Sequence, residues 1–196
     1  MATNITHHAV GVTWVEDSAM ARAAHAVRDD GHVWLIDPFD DTAALAAAAD
    51  LGDPVGVIQL LDRHNRDGQA IAQGLGVPLL RLPVQVAGSP FEVISVVSQR
   101  WWKELALWWE AERTLIVAEA VGTASAFALG RRLGVHPMLR LTPPKVLGSY
   151  RPERVLVGHG VPVQEGGAAA LNEALSGSRG DIPKLVLKLP SLIRGG

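Results

Sequence analysis

Asp62-Arg63-His64-Asn65-Arg66-Asp67 sets five ionisable side chains among six residues, directly after the apolar run Val55–Leu60. Loops at strand ends are where α/β proteins place chemistry, because the strand fixes the backbone while the loop is free to vary. Two other apolar runs end in comparable residues. Leu115-Ile116-Val117 leads into Ala118-Glu119-Ala120, and Val155-Leu156-Val157 leads into Gly158-His159-Gly160. If the three strands are neighbours, their ends converge on one rim. Zn2+ and similar ions take imidazole nitrogen and carboxylate oxygen from several such ends, and a carboxylate at Glu119 could serve one ion or bridge two.

A plainer reading stands beside each of these. Asp62 or Asp67 could pair with Arg63 or Arg66 while His64 bonds to backbone. His159 could fix a turn between two glycines that supply positive φ. Glu119 could cap or pair locally. Asp37, which ends the apolar run Val33–Ile36, reads as a strand-end residue that hydrogen-bonds neighbouring backbone.

The elements that must position these groups follow from periodicity and breakers. Val10–Val15 and Ala21–Val27 read as strands, followed by a turn at Arg28–Gly31. Val33–Ile36 stops at Pro38, which cannot donate to a ladder. Asp40 or Asp41 can cap a helix over Thr42–Leu51, broken by Gly52-Asp53-Pro54. Val55–Leu60, a short helix to Leu75-Gly76 and Val77–Leu82 complete a strand-helix alternation, so this region forms a largely parallel sheet. Phe91–Val97 is extended. Leu105–Trp109 and Thr114–Glu119 form a hairpin around Glu110–Arg113. Helix returns at Ser125–Leu133, near Pro143–Tyr150 and over Gly166–Leu175, with the strand Arg154–Val157 before the last of these.

Trp101-Trp102 and Trp108-Trp109 should each send one ring inward and leave the other half exposed, as core or subunit-interface packing. His7 and His8 fall on opposite strand faces, so they read as N-terminal surface residues and not as a metal pair. Gly130-Arg131-Arg132-Leu133-Gly134 lacks the strand-turn-helix context of a phosphate loop. The apolar stretch Ile182–Ile193 is expected to pack on the body of the protein or on a second subunit.

Composition narrows the classes. A chain of 196 residues is expected to form one domain, 1–196, and can bury a sizeable core. Net charge is −2 and no Lys/Arg stripe forms, which argues against nucleic acid as a partner. Without cysteine there are no disulfides and no thiolate metal sites. No run approaches the roughly 20 apolar residues that span a bilayer, and Met1-Ala2-Thr3-Asn4 does not open like a signal peptide. The expectation is a cytoplasmic protein with a small-molecule substrate or ligand, no membrane partner, and a homodimer built through the tryptophans or the apolar tail.

Taken in order, these landmarks resemble the metallo-β-lactamase superfamily over roughly Trp34 to Leu175. Leu35-Ile36-Asp37-Pro38 is similar to that family's early strand ending in Asp. Ile58–Asp67 falls where its His-x-His-x-Asp-His loop lies, and Ala87-Gly88-Ser89 near its second Gly-His element. Leu115–Ala120 is similar to its Gly-Asp strand, and Val155–Gly160 to its final Gly-His-Gly strand. The residue types depart from the pattern. Asp62 stands where the first His would be, His64 keeps the second, Arg66 takes the Asp position and Asp67 the last His. Ser89 falls at the next His, Glu119 replaces the bridging Asp, and His159 matches.

The resemblance implies a four-layer αββα sandwich: two mixed β-sheets with helices on the outer faces, and a rim holding Asp62, His64, Arg66, Asp67, Glu119 and His159. It implies Asp62, His64, Glu119 and His159 as ligands of one Zn or other divalent metal ion, or of none. A second ion would have Asp67 and His159 with Arg66 beside them. A guanidinium is always charged and has no lone pair to give, so an ordinary two-metal site is rejected. Arg66 is then expected to act as a fixed positive charge, paired with Asp67 or Glu119 or gripping an anionic substrate group. Asp67 is expected to orient or deprotonate water. Two functions remain open: a hydrolase of an ester, thioester or lactone, and a non-catalytic ligand-binding or interaction module on the same fold.

Overall fold

The computed structural model describes residues 3–185 and 187. Its strands are β1 (Thr3–His8), β2 (Gly11–Glu16), β3 (Ala23–Asp29), β4 (His32–Ile36), β5 (Asp53–Gln59), β6 (Leu79–Arg81), β7 (Glu92–Gln99), β8 (Trp102–Trp109), β9 (Thr114–Val117), β10 (Val121–Gly122), β11 (Gly134–Val135) and β12 (Arg154–Val157). Its helices are α1 (Thr42–Ala49), α2 (Gly68–Leu75), α3 (Ser125–Ala128) and α4 (Gly167–Gly177).

Strands β1 to β6 lie side by side in chain order in one six-stranded sheet. The pairs from β1 to β4 are antiparallel, and β4-β5 and β5-β6 are parallel. The second sheet has the order β12-β9-β8-β7, with β9 and β12 parallel and the other pairs antiparallel. Both sheets are therefore mixed. Strands β10 and β11 form a separate short ribbon.

Alternation along the central strands assigns the faces. Val33, Leu35 and Val57 pack outward against Ala44 and Ala48 of α1 and Ile71 and Ala72 of α2. Their neighbours Trp34, Ile36 and Ile58 face inward and share a core with Ile94, Leu107 and Leu115 of the second sheet. Phe91 bridges the layers, edge-on to Trp34 at 5.4 Å and to Trp109 at 5.7 Å. Helix α4 packs against β12 and β11 and inserts Ala170, Leu171 and Ala174. The result is the expected helix-sheet-sheet-helix sandwich. Asp41 caps α1, its carboxylate accepting from Ala44 N at 2.8 Å.

Several sequence expectations need adjustment. The N-terminal segment is not a loose surface strand: β1 pairs along its whole length with β2, and His8 is half-buried, 3.1 Å from Thr13 Oγ1. Trp101 is exposed and Trp102 buried, as alternation requires, but Trp108 and Trp109 are both buried. The reason is that β8 is covered on both faces there, by Tyr150 over Trp108 and by Phe91 over Trp109. The helix expected at Ser125–Leu133 stops at Ala128, where Leu129 turns left-handed at φ 48°. The Pro143–Tyr150 region is a 3-10 helix over Lys145–Ser149. Of the apolar stretch Ile182–Ile193, all but residues 182–185 and 187 lies outside the described residues. No helix among the described residues is long and apolar enough to cross a membrane.

Candidate metal centre

Parallel pairing brings three loops to one edge. Strands β4 and β5 end together, so Asp37 and the loop 60–67 emerge side by side; β9 and β12 end together, so Glu119 and His159 do the same. The two sheets meet at this edge through backbone: Ala23 N donates to Gly158 O at 2.8 Å and Gly160 N to Ala21 O at 2.7 Å. This close approach explains the glycines. A Cβ on Gly158 would lie 2.1 Å from Ala118 O, and Gly160 sits at φ +96° with Thr123 where its Cβ would be.

Asp37 organises the loop. It is buried, with φ 45°, and its Oδ1 accepts from Leu60 N at 3.0 Å. Its Oδ2 lies 2.9 Å from His64 Nδ1. A carboxylate accepts, so Nδ1 carries the hydrogen and His64 Nε2 points the other way, to 3.4 Å from Glu119 Oε1. His159 repeats the arrangement. Its Nδ1 donates to Met20 O at 2.8 Å, and its Nε2 lies 3.4 Å from the same Glu119 Oε1. Phe127 stacks on the His159 ring at 5.3 Å. The other oxygen, Glu119 Oε2, accepts from Arg63 Nη2 at 2.7 Å.

One ligand atom from each of His64, Glu119 and His159 lies within 4.8 Å of the others. With both Nδ1 atoms protonated, neutral rings would turn two Nε2 lone pairs toward one carboxylate oxygen. His159 Nε2 is buried and has no hydrogen-bond partner. Such an arrangement is unfavourable unless a proton or a metal cation lies between the donors. Two imidazoles and one carboxylate oxygen are a donor set suited to Zn2+ or another borderline divalent ion, so the residues present fit a single metal ion.

The electrostatics agree with a site built for positive charge. Burial works to raise the Glu119 carboxyl, but the facing His159 and His64 rings and the Arg63 guanidinium outweigh it and hold Glu119 well below the usual carboxylate range. Burial works to lower His64, but the adjacent Asp37 and Glu119 outweigh it and push the ring upward. Beneath the site lies Glu104, fully buried, whose carboxyl burial pushes up to about 7. His136 is held down to about 4, chiefly by burial.

Three residues expected at the metal or as catalytic groups lie elsewhere. Asp62 is outside the donor group: its Oδ2 accepts from Lys103 N at 3.0 Å, because the loop after β5 zips onto β8, with Leu61 and Glu104 bridged. Asp67 is exposed and outside the donor group: its Oδ2 accepts from Asp40 N at 2.9 Å, so it supports the start of the α1 region. Arg66 grips neither Asp67 nor Glu119. Its Nη1 donates to Ala23 O at 2.6 Å and Asp37 O at 2.8 Å, and its Nη2 to Gly158 O at 3.3 Å. The guanidinium staples the ends of β3, β4 and β12 and places a fixed positive charge beside the donor group. Ser89 likewise closes a turn onto Val86 O at 2.7 Å.

Other residues gain roles that the sequence reading did not give them. Asp37 does hydrogen-bond backbone, but its second oxygen orients His64. Arg63 binds Glu119 and not the neighbouring aspartates, with its guanidinium 4.2 Å from the Trp102 ring centroid. Glu104 was legible: it shares a strand face with Trp102 and Ala106, so an inward tryptophan requires an inward carboxylate.

The sequence matches no protein-family model and no curated protein. Solved structures do match. DIM-1 metallo-β-lactamase exposed to ceftazidime aligns with a TM-score of 0.62 at 14% identity, over 92% of this chain and 98% of that one. The metallo-β-lactamase from Pontibacter korlensis aligns with a TM-score of 0.64 at 12% identity, over 91% and 99%. That from Hirschia baltica aligns with a TM-score of 0.63 at 11% identity, over 91% and 98%. At such identities the likeness shows the fold: the chain has the metallo-β-lactamase fold.

Proposed function

We propose that this chain is a mononuclear metal-dependent hydrolase acting on an ester, thioester or lactone. His64 Nε2, His159 Nε2 and Glu119 Oε1 would hold one divalent ion. Such an ion supplies Lewis-acid polarisation of a carbonyl and an acidified water. The chain's own residues do the rest. Asp37 and the Met20 carbonyl fix both histidine tautomers, which leaves both Nε2 lone pairs free. Arg63 neutralises the outer oxygen of Glu119. Arg66 sets a permanent positive charge where a second ion would otherwise be sought, and this supports a single-ion site.

The observation that carries this reading is His159 Nε2, buried, unpartnered and aimed with His64 Nε2 at one carboxylate oxygen. The test is metal analysis of protein purified without chelator, together with thermal shifts on adding Zn2+, Mn2+ or EDTA. A ligand that binds the native state must raise its stability. Near-zero metal with no shift rejects the reading.

One observation favours a second reading. Glu119 already has a cation partner in Arg63, and the rim is closed by ion pairs and by the Arg66 staple. On that account the rim is structural and the fold serves as a non-catalytic ligand-binding or interaction module. A metal-induced upward shift that is lost in His64→Ala rejects it.

A further inference from the structure

Glu104 is a carboxylate with no part in the scheme above, yet it is wholly buried on β8. A group in such a place must find donors, and it finds three. Its Oε1 accepts from Glu119 N at 2.8 Å and Ala120 N at 2.7 Å; its Oε2 accepts from the indole Nε1 of Trp102 at 2.9 Å.

Each oxygen starts a separate route to the same residue. Through Oε1, Glu104 holds the backbone that carries the Glu119 side chain. Through Oε2 it fixes the Trp102 indole, which is a shelf for Arg63: the guanidinium carbon lies 4.2 Å from the ring centroid. Arg63 then donates to Glu119 Oε2 at 2.7 Å. With Oε2 occupied, only Oε1 is presented to His64 and His159, at 3.4 Å from each Nε2.

We propose that Glu104 is a positioning residue whose two oxygens, one through backbone and one through Trp102 and Arg63, fix Glu119 as a one-oxygen donor to the His64–His159 pair. The inference rests on the single-ion reading above. It says why that ion would keep open positions: a carboxylate held to one oxygen cannot close over it in a two-oxygen grip. It also says why position 104 carries a carboxylate. Glutamine could accept both backbone N–H groups through its amide oxygen, but would turn its NH2 donors against the indole N–H. Leucine keeps the volume and serves neither route.

The test compares wild type, Glu104→Gln and Glu104→Leu in two measurements. The first is Zn2+ affinity by competition with a chromophoric chelator. The expected loss is about 10-fold for the glutamine variant and about 100-fold for the leucine variant, in the range found when the outer partners of metal ligands are removed. The second is amide hydrogen exchange in metal-free protein. Glu104→Leu should speed exchange at Glu119 and Ala120 by about 10-fold or more while Leu115–Val117 stay protected, and Glu104→Gln should retain protection at both.

Unchanged zinc affinity in both variants overturns the proposal, as does unchanged exchange at residues 119 and 120 in the leucine variant. A fall in thermal stability with neither change would mark Glu104 as merely structural. If wild type itself takes up no zinc, the hydrolase reading falls, and the exchange pattern alone decides whether Glu104 holds the 119–120 backbone.

Discussion

Two pairs of histidines face each other in this fold, His8 with His25 and His64 with His159, and their surroundings differ. In the His8–His25 pair the nitrogens that face each other are linked through Thr13, while His8 Nδ1, on the far side of its ring, is buried without a partner. His25 Nε2 donates to Val157 O at 3.2 Å, which leaves Nδ1 to accept from Thr13 Oγ1 at 2.7 Å. The threonine oxygen in turn accepts from His8 Nε2 at 3.1 Å. In the His64–His159 pair both Nδ1 atoms have fixed acceptors, and both Nε2 atoms converge on Glu119 Oε1, with His159 Nε2 buried and unpartnered. Among the described residues the first network gathers no third possible ligand. The second is a set of donors that a single cation would fit. An unpartnered buried histidine nitrogen is thus evidence for a metal only when other possible ligands converge on the same point, as they do at His64, Glu119 and His159 and not at His8.

The largest expected contrast is in metal binding. His159→Ala should weaken Zn2+ affinity more than about 100-fold, since losing a ligand outweighs losing an outer partner. His25→Phe should keep one zinc per chain but destabilise the fold by about 1–3 kcal/mol, because Thr13 and Val157 O lose their partner. Isothermal titration and urea unfolding of both variants read the two effects. Loss of zinc in His25→Phe would erase the distinction.

Next comes pH, where His64 has the opposite sign to His8 and His25 in metal-free protein. Burial holds His25 at about 3 and His8 at about 4, below the unfolded value of 6.5. The unfolded chain therefore binds more protons in this window. Stability is full above pH 6.5 and falls toward pH 4, by up to about 1.4 kcal/mol per pH unit for each ring. His64 is raised, so its contribution is full below 6.5 and is lost as pH rises through its folded value. Urea unfolding across pH should show the acid limb flattened by His25→Phe and the alkaline limb flattened by His64→Gln. Flattening of the same limb by both would contradict the assigned partners.

A smaller effect belongs to the outer partner. Asp37→Asn should weaken zinc by about 10- to 100-fold without abolishing it, since the amide still bonds His64 but less firmly holds its tautomer. Arg66→Lys is expected to act on stability more than on metal. One ammonium cannot span Ala23 O, Asp37 O and Gly158 O as the planar fork does, and a loss of about 1–3 kcal/mol follows. Chemical denaturation checks it, and an unchanged midpoint would remove the staple.

The residues that meet at the candidate metal centre were legible because each follows an apolar strand, and strand ends in parallel pairs gather at one edge. His64, Glu119 and His159 were found that way. Asp62 and Asp67 misled because spacing fixes where a loop residue falls but not where its side chain turns. The Leu61–Glu104 bridge, which no periodicity announces, commits Asp62 to Lys103 N. Likewise Arg66 sits at the rim, yet its partners are carbonyls, which every residue has and which no motif records. Strand β1 was missed because Thr3-Asn4-Ile5-Thr6-His7-His8 carries one aliphatic residue and no alternation; its pairing with β2 comes from tertiary context. Glu104 shows the reverse case, where a rule already in hand, the two-residue period of β8, was not carried to the one charged residue it buried.

The central claim is that one ion, and not none or two, fits among His64, Glu119 and His159. Titration of metal-free protein with Zn2+ against a competing chelator tests it directly. The expected result is one zinc per chain with Kd tighter than about 1 μM. Zero sites, or two sites of comparable affinity, would contradict the account.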